Sequence, residues 1–240
     1  MLSNQTTTRA ARRWIGLLAL VSSLAFAGGK ATAQSEQQEL VNRAETTFAT
    51  FMRDPDATWL QKHIGEARAI LIAPQIVKAG WVLGGAGGRA VLFARDEHSG
   101  RWTGPAFYDV AAASVGFQAG IAVSETVTLV MTQKGLNSLL ASSAKLGGDV
   151  SIAAGPIGAG ANANVTADLV SFSRSKGLYG GLNLEGSVLH VSDTYNRAYY
   201  GTAALPPDIL VRATVYNPQA DRLVADLNRL ASRKKSDDHS

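Results

Sequence analysis

The chain has 240 residues, with 23 lysines and arginines, 19 acidic residues and no cysteine. A chain without cysteine has no disulfide bond, no thiolate metal site and no cysteine to which a lipid could be attached after export. Its length and its 46% content of hydrophobic residues suffice for one domain with a substantial core.

Residues 1–33 have the pattern of a cleaved export signal. Three arginines, Arg9, Arg12 and Arg13, precede the apolar run WIGLLALVSSLAFA, and ATA at residues 31–33 has the small-x-small pattern of a cleavage site. The apolar run has 14 residues, whereas a membrane-spanning helix needs about 20. We therefore predict cleavage near Ala33 and a periplasmic or secreted protein, which is compatible with a peripheral position on a membrane. A permanent anchor is the less favoured alternative.

Signal removal changes the charge balance of the chain. The segment carries four of the 23 basic residues and none of the acidic ones, which leaves 19 basic against 19 acidic residues. A neutral chain lacks the global attraction to nucleic acid that a basic protein shows, and an acidic membrane would have to be contacted through a local basic patch. The composition therefore predicts no nucleic-acid partner.

The first element of the mature chain is predicted to be an amphipathic helix that ends at Asp54-Pro55. Apolar residues recur there at helical spacing, and they are Leu40, Val41, Ala44, Phe48, Phe51 and Met52. The polar face mixes acids with arginine, and it carries Glu36, Glu39, Arg43 and Glu45. Because helices that lie on membranes are usually rich in lysine and arginine on that face, packing on the protein core is favoured over membrane insertion.

The middle of the chain is predicted to be a sheet. Short runs of β-branched and aromatic residues, such as RAVLFAR and TVTLVMT, alternate with glycine-containing turn signals. The 24 glycines suit a sheet that bends sharply or brings backbones close together. We predict an α+β fold, with a glycine-rich, mainly antiparallel β-sheet curved into a barrel or sandwich and amphipathic helices at the N- and C-terminal ends.

A second helix is predicted near the C-terminus. Asn217-Pro218 has the pattern of an N-cap followed by proline, and a stripe of Leu223, Val224, Leu227 and Leu230 follows. The helix is predicted to end near Ser232, before a disordered charged tail at residues 233–240. The predicted single domain spans residues 34–232.

No motif in the chain indicates catalysis, a cofactor or a metal. The histidines His63, His98 and His190 lack a second ligand at a zinc-binding spacing, and Ser114 in AASVG lacks one glycine of the nucleophile elbow. The segment LGGAGGRA matches neither nucleotide-binding glycine pattern, and a strand-like run follows it. We therefore predict that the protein is not an enzyme and that it holds no cofactor and no metal.

Four strings resemble the SYLF domain of yeast actin regulators and of related animal and plant lipid-binding proteins. They occur in order as KAGWVLGGAGGRAVLFARDEHSGRWTGPAFY, GGDVSIAAGPIG, FSRSKGLYGGLNLEGS and NRAYYG. The resemblance covers roughly residues 36–230 and implies a non-enzymatic module that binds membrane lipids, phosphoinositides in eukaryotic members, with actin binding in the yeast type. Because export separates this chain from actin and from cytosolic phosphoinositides, the expected ligands are anionic phospholipids or other envelope lipids, and actin binding is not expected.

The segment SRSKGLYGGLNLEGS supplies the first candidates for a lipid headgroup. Arg174 and Lys176 are two residues apart, which puts them on one side of a strand. Tyr179 is either a core residue or an interfacial ring. Lys78 and Arg89 flank the other glycine-rich block and are second-rank candidates. Two alternatives stay open at this point, namely a solvated hairpin end without a ligand and an envelope scaffold that offers a sheet edge to a protein partner.

Overall fold

The computed structural model describes residues 28–80, 83–97, 99–115, 120–158, 164–175, 178–179 and 184–237. Most of the predicted signal, His98 and Lys176 lie outside these residues, as does the end of the predicted tail. The predicted cleavage near Ala33 falls inside the first described helix and would shorten it at its N-terminus.

The described residues contain nine strands, all in one sheet. The strands are β1 (Ala69–Gly80), β2 (Leu83–Arg95), β3 (Trp102–Val115), β4 (Gly120–Val130), β5 (Ser143–Lys145), β6 (Ile152–Ala154), β7 (Leu169–Ser175), β8 (Leu178–Tyr179) and β9 (Val188–Val191). Their order in the sheet is β5-β9-β3-β2-β1-β4-β7-β6, and β8 pairs with β7. All pairs are antiparallel except β6 with β7. The sheet is strongly curled into a half-barrel that stays open between β5 and β6. This confirms the predicted fold class.

Helices lie at both ends of the chain, as predicted, and also between the strands. They are α1 (Gly28–Phe51), α2 (Thr58–His63), α3 (Gln133–Leu140), α4 (Asp193–Tyr200), α5 (Pro206–Leu210) and α6 (Asp221–Asp237). The four internal helices, which have between five and eight residues, were not predicted from the sequence. Elements this short carry too few turns for a clear helical period.

Helix α6 continues beyond Ser232 through most of the segment that was predicted to be a disordered tail. Asn217 caps the preceding turn as predicted, since its side chain accepts a hydrogen bond from the backbone N–H of Gln219 at 3.0 Å. The helix then runs to Asp237. Arginine and lysine are good helix formers, and their charge is favourable near a helix C-terminus, which accounts for the added turn over RKK at residues 233–235.

The sheet separates two hydrophobic clusters. One face packs against α1, α4 and α6, with buried residues that include Phe48, Phe107, Tyr199 and Leu227. The other face packs against α3 and α5, with Leu136 and Ile209 among its buried residues. Because side chains alternate along each strand, every long strand contributes to both clusters.

Helix α1 lies across the strands, with its apolar side on the sheet. At its C-terminal end, the ring of Phe51 contacts that of Tyr179 in β8, with centroids 5.7 Å apart. Thr47 then donates to Glu125 of β4 at 3.0 Å, and Arg43 donates to Gln75 of β1 at 3.1 Å. The helix therefore covers the strands only where it crosses them.

A register irregularity in β1 shapes the sheet beside this crossing. Both neighbours of β1 shift register between Ile72 and Ile76. As a result the carbonyl of Gln75 turns towards β2, and a Cβ built on Gly88 would lie 2.3 Å from that oxygen. Glycine is therefore required at this position by close backbone approach.

Asp168 joins three elements at the opposite end of the sheet. Its carboxylate accepts hydrogen bonds from the Thr132 hydroxyl at 2.6 Å and from the Ser151 hydroxyl at 2.7 Å. Thr132 also caps α3 by accepting from the N–H of Gly135. The hydrogen bonds from Thr132 and Ser151 hold the pKa of Asp168 well below its usual range.

We expect Gly88→Ala to lower the free energy of unfolding by about 1–3 kcal/mol, because the new methyl group would meet the backbone of β1. Gly87→Ala is the matched control, since a Cβ there would lie 3.7 Å from the nearest atom, the carbonyl oxygen of Val110. Urea denaturation of both variants checks the difference. Equal stability of the two variants would contradict the close approach.

We expect Asp168→Asn to cost about 1–3 kcal/mol at neutral pH, because an amide cannot accept all the hydrogen bonds of the carboxylate. A pKa that folding lowers gives stability that is present above the unfolded value and is lost as the pH falls towards the folded value. The difference in unfolding free energy between the unchanged protein and Asp168→Asn should therefore become smaller below about pH 4. Urea denaturation across pH checks this, with the more exposed Asp226→Asn as the control. A difference in unfolding free energy that stays constant in acid would contradict a stabilising role of the ionised Asp168 carboxylate.

Candidate functional site

One face of the sheet is left uncovered beyond α1. On the ends of β1 to β4, the residues on the α1 side whose burial the structure describes are all exposed, and all are apolar or glycine. We call this surface the open sheet face, and it consists of Val77, Ala79, Gly85, Gly87, Ala111, Ala113, Ile121 and Val123. Register pairs such as Val77↔Val123, Ala79↔Gly85 and Ala79↔Ile121 put them on one side of the sheet. Ile121 is 75% exposed and Val123 is 46% exposed.

A cleft of about 600 Å³ lies where the open sheet face meets α1. Its apolar floor includes Val77 and Gly87, and Leu40 of α1 forms part of its wall. Its charged lining residues are Glu36, Glu39, Arg43, Arg89 and Asp109. The cleft therefore joins a polar rim to an apolar surface.

Arg89 is held at the rim by two neighbours. Its guanidinium carbon lies 4.3 Å from the centroid of the Tyr195 ring, and its Nε lies 3.3 Å from Oδ1 of Asp109. Stacking on an aromatic face and a carboxylate partner both fix the planar guanidinium. The side chain of Arg89 is still 51% exposed, so it can donate further hydrogen bonds to a ligand.

Tyr195 links α4 to α1 beneath Arg89. Its hydroxyl donates a hydrogen bond to Oε2 of Glu36 at 2.9 Å. Burial, together with that hydrogen bond, raises the pKa of Tyr195 above its ordinary value. The phenol therefore remains a donor at neutral pH, and the carboxylate of Glu36 is held at the cleft.

Arg43 forms the second cationic point of the rim. Its Nε lies 3.5 Å from Oε1 of Glu39, one turn earlier on α1. It also donates to the side chain of Gln75, which follows the register irregularity of β1. The Arg43 side chain is half exposed, and the pair is therefore an ion pair that a ligand can reach.

The four sequence candidates that the structure describes are dispersed. Arg89 lies at the cleft. Lys78 is exposed on the other face of the sheet, because it follows Val77 of the open sheet face in β1. Arg174 and Tyr179 are register partners in β7 and β8, beside Phe51 at the far end of α1. Lys176 lies outside the described residues, and the headgroup role of all five stays a prediction.

Arg174 takes part in an internal ion-pair network. It donates to Glu125 through Nε at 2.8 Å and also through a second guanidinium nitrogen, and it donates to Asp54 at 3.3 Å. The Arg174 side chain is only 16% exposed. Burial and the nearby carboxylate of Asp54 raise the pKa of Tyr179 above its ordinary value. The network fixes the C-terminal end of α1 to β4 and β7, and it engages the guanidinium that a headgroup would need.

Three further parts of the cleft were not among the sequence candidates for the site, namely Tyr195, Asp109 and the acid–arginine stripe on the polar face of α1. One available signal was the single acid in the alternating strand FYDVAA, where Asp109 follows Phe107 at the spacing of one face. The other was the helical spacing of Glu36, Glu39 and Arg43, which puts them on one stripe. Neither signal names the partner across the cleft.

The described histidines have structural surroundings. Nδ1 of His63 lies 2.7 Å from the carbonyl oxygen of Trp59, and the two rings stack at 3.9 Å. His190 lies in the short strand β9. Within the described residues, no three acidic or histidine side chains converge in a way that could hold a metal ion.

None of the helices in the described part of the chain combines the length and the hydrophobicity needed to cross a membrane.

Comparison with known proteins identifies the family. The model of the Ysc84 family, described as Las17-binding protein actin regulator, matches residues 111–230. The chain belongs to this family. The match confirms the resemblance to the SYLF domain that the sequence strings indicated.

The curated relatives are longer than this chain. The human SH3 domain-containing YSC84-like protein 1 is 28% identical over 198 residues, which cover 80% of this chain and 57% of the relative. Protein YSC84 of Saccharomyces cerevisiae is 30% identical over 171 residues, which cover 68% of this chain and 36% of the relative. LAS seventeen-binding protein 3 of the same yeast is 35% identical over 133 residues, which cover 52% of this chain and 29% of the relative. The chain thus corresponds to part of each relative.

We expect Arg174→Gln to destabilise the fold by about 1–3 kcal/mol, because Glu125 and Asp54 would lose their cationic partner in a largely buried position. The matched control is Arg212→Gln, which removes a more exposed pair with Asp208 and should cost less than about 1 kcal/mol. Urea denaturation measures both. An unchanged stability of Arg174→Gln, with a loss of binding to lipid vesicles, would instead assign Arg174 to a headgroup.

Proposed function

We propose that this domain is a non-enzymatic module that binds phospholipid at a membrane surface. The open sheet face is the observation that carries the proposal. It is a contiguous apolar surface without a single polar side chain, exposed in a folded protein and bordered by a charged cleft. Contiguous exposed apolar surfaces of this kind mark interaction sites with membranes, proteins or ligands.

The contact between the open sheet face and the charged cleft favours a lipid as the ligand. An amphiphile has an apolar part and a charged part at a fixed separation, and the cleft places the guanidinium of Arg89 beside the apolar Val77. The acyl portion would lie along the open sheet face, and the phosphate would accept hydrogen bonds from Arg89 and Arg43. Charge-assisted bonds of this type are about twice as strong as neutral ones.

The proposed location is the cell envelope. The support is the export signal predicted in residues 1–33, which would bring the domain to the periplasm or outside the cell. In either place the available ligands are envelope lipids, and neither actin nor cytosolic phosphoinositides are within reach.

The family description favours a second candidate, a scaffold that binds a protein. LAS seventeen-binding protein 3 carries a protein partner in its name. In this case the open sheet face would be covered by a protein surface. Purification of the protein in a stable stoichiometric complex that contains no lipid would favour this candidate.

We expect the purified protein to float with vesicles made of equal parts phosphatidylcholine, phosphatidylethanolamine and phosphatidylglycerol. The double variant Ile121→Asp/Val123→Asp should bind about tenfold less, because each charge would have to enter the apolar layer. Both side chains are exposed, so the fold should tolerate the change.

The matched control is Val211→Asp, which adds the same charge at a valine that is 56% exposed in another part of the molecule. It should bind like the unchanged protein. Circular dichroism of all variants checks that they are folded. Absence of flotation by the unchanged protein would refute lipid binding, and equal binding of all variants would refute the assigned surface.

A further inference from the structure

The charges around the cleft do not add up to an anion site. Two arginines and three carboxylates are among its lining residues, so its formal charge is negative. Each arginine also has a carboxylate next to it, Asp109 for Arg89 and Glu39 for Arg43. A headgroup with a net negative charge would meet repulsion that these pairs do not offset.

Glu36 supplies the surplus negative charge. The hydrogen bond that the structure gives its carboxylate comes from the phenol of Tyr195, a neutral group. Glu39, one turn further along α1, has a side chain that is 60% exposed. The two acids therefore offer accepting oxygens at the same rim that carries the donors of Arg43 and Arg89.

We infer that the cleft selects a zwitterionic phospholipid with a primary ammonium group, that is, a phosphoethanolamine headgroup. This inference rests on the proposed lipid-binding function and names the ligand class of that site. The phosphate would accept from Arg89 and Arg43, and the ammonium would donate to Glu36 and Glu39. Such a headgroup brings one charge of each sign to a rim that presents both signs.

The chemistry of the rim distinguishes a primary from a quaternary ammonium. A primary ammonium has three N–H donors for carboxylate oxygens, whereas the choline group has none. Choline is bound in proteins chiefly over aromatic faces. Among the described residues that line the cleft, Tyr195 alone is aromatic, and Arg89 already covers its ring. The site therefore favours ethanolamine over choline.

The inference is tested by flotation with three vesicle types, namely phosphatidylcholine alone, an equimolar mixture with phosphatidylethanolamine, and an equimolar mixture with phosphatidylglycerol. The unchanged protein should bind the ethanolamine vesicles best, by about tenfold over phosphatidylcholine alone. In the double variant Glu36→Gln/Glu39→Gln, the preference for ethanolamine vesicles over phosphatidylcholine should disappear. Each glutamine has the size of the glutamate and keeps one accepting oxygen, but it lacks the negative charge. Binding to phosphatidylglycerol should rise in this variant.

Glu45→Gln is the matched control on the same helix. Glu45 lies outside the cleft lining, and its carboxylate is 3.5 Å from Arg222 of α6. This variant should retain the ethanolamine preference. Since phosphatidylethanolamine also loosens lipid packing, the comparison of the two variants separates headgroup recognition from that general effect.

Three results would overturn the inference. Equal binding to the ethanolamine and choline vesicles, or an ethanolamine preference that survives in Glu36→Gln/Glu39→Gln, would remove the headgroup assignment and leave lipid binding in place. Strongest binding to phosphatidylglycerol would do the same. Failure to bind any vesicle would overturn the proposed function together with the inference.

Discussion

The packing of α1 across the strands is the constraint on which the other features depend. Its apolar stripe includes Val41, Phe48 and Phe51, all almost completely buried, and burial of each large side chain contributes about 1.5–3 kcal/mol. This burial fixes the position of α1 across the strands of the sheet. A helix laid along the strands would cover one or two of them from end to end, whereas this one leaves the ends of β1 to β4 without cover.

Polar contacts at the two ends of α1 serve different purposes. At the C-terminal end, Arg174 is enclosed by Glu125 and Asp54, and the low exposure of all three leaves little room for a ligand. Nearer the N-terminal end, Arg89 has one carboxylate and one aromatic partner and remains half exposed. The same residue type thus stabilises the fold at one end of the helix and faces solvent at the other, and the number of neighbouring carboxylates makes the difference.

The fold class could be predicted from the sequence because it is determined by local patterns of residues. The apolar period of α1, the cap at Asn217 and the alternation in runs such as RAVLFAR are each readable within a few residues. The cleft rests on contacts between distant segments, such as Tyr195 with Glu36 at a separation of 159 residues. Arg174 shows the same limit, since its sequence neighbours are serines and its two carboxylate partners are Asp54, just after α1, and Glu125 in β4. Pattern and spacing within a segment do not report such partners.

Small residues explain how an uncovered apolar surface can persist in a folded protein. Half of the open sheet face is glycine or alanine in β2 and β3, and such residues expose far less apolar area than leucine or phenylalanine would. The larger Ile121 and Val123 lie on β4, so the most hydrophobic part is narrow. The backbone beneath is satisfied by strand pairing, since β2 and β1 are interior strands of the sheet. Exposure of this surface to water therefore costs little free energy. The surface still provides a flat apolar layer next to the charges of the cleft. A larger apolar residue at Gly85 or Gly87 would raise that cost and fill the floor where a ligand would lie, so the glycines suit a surface that is covered only when a partner is bound.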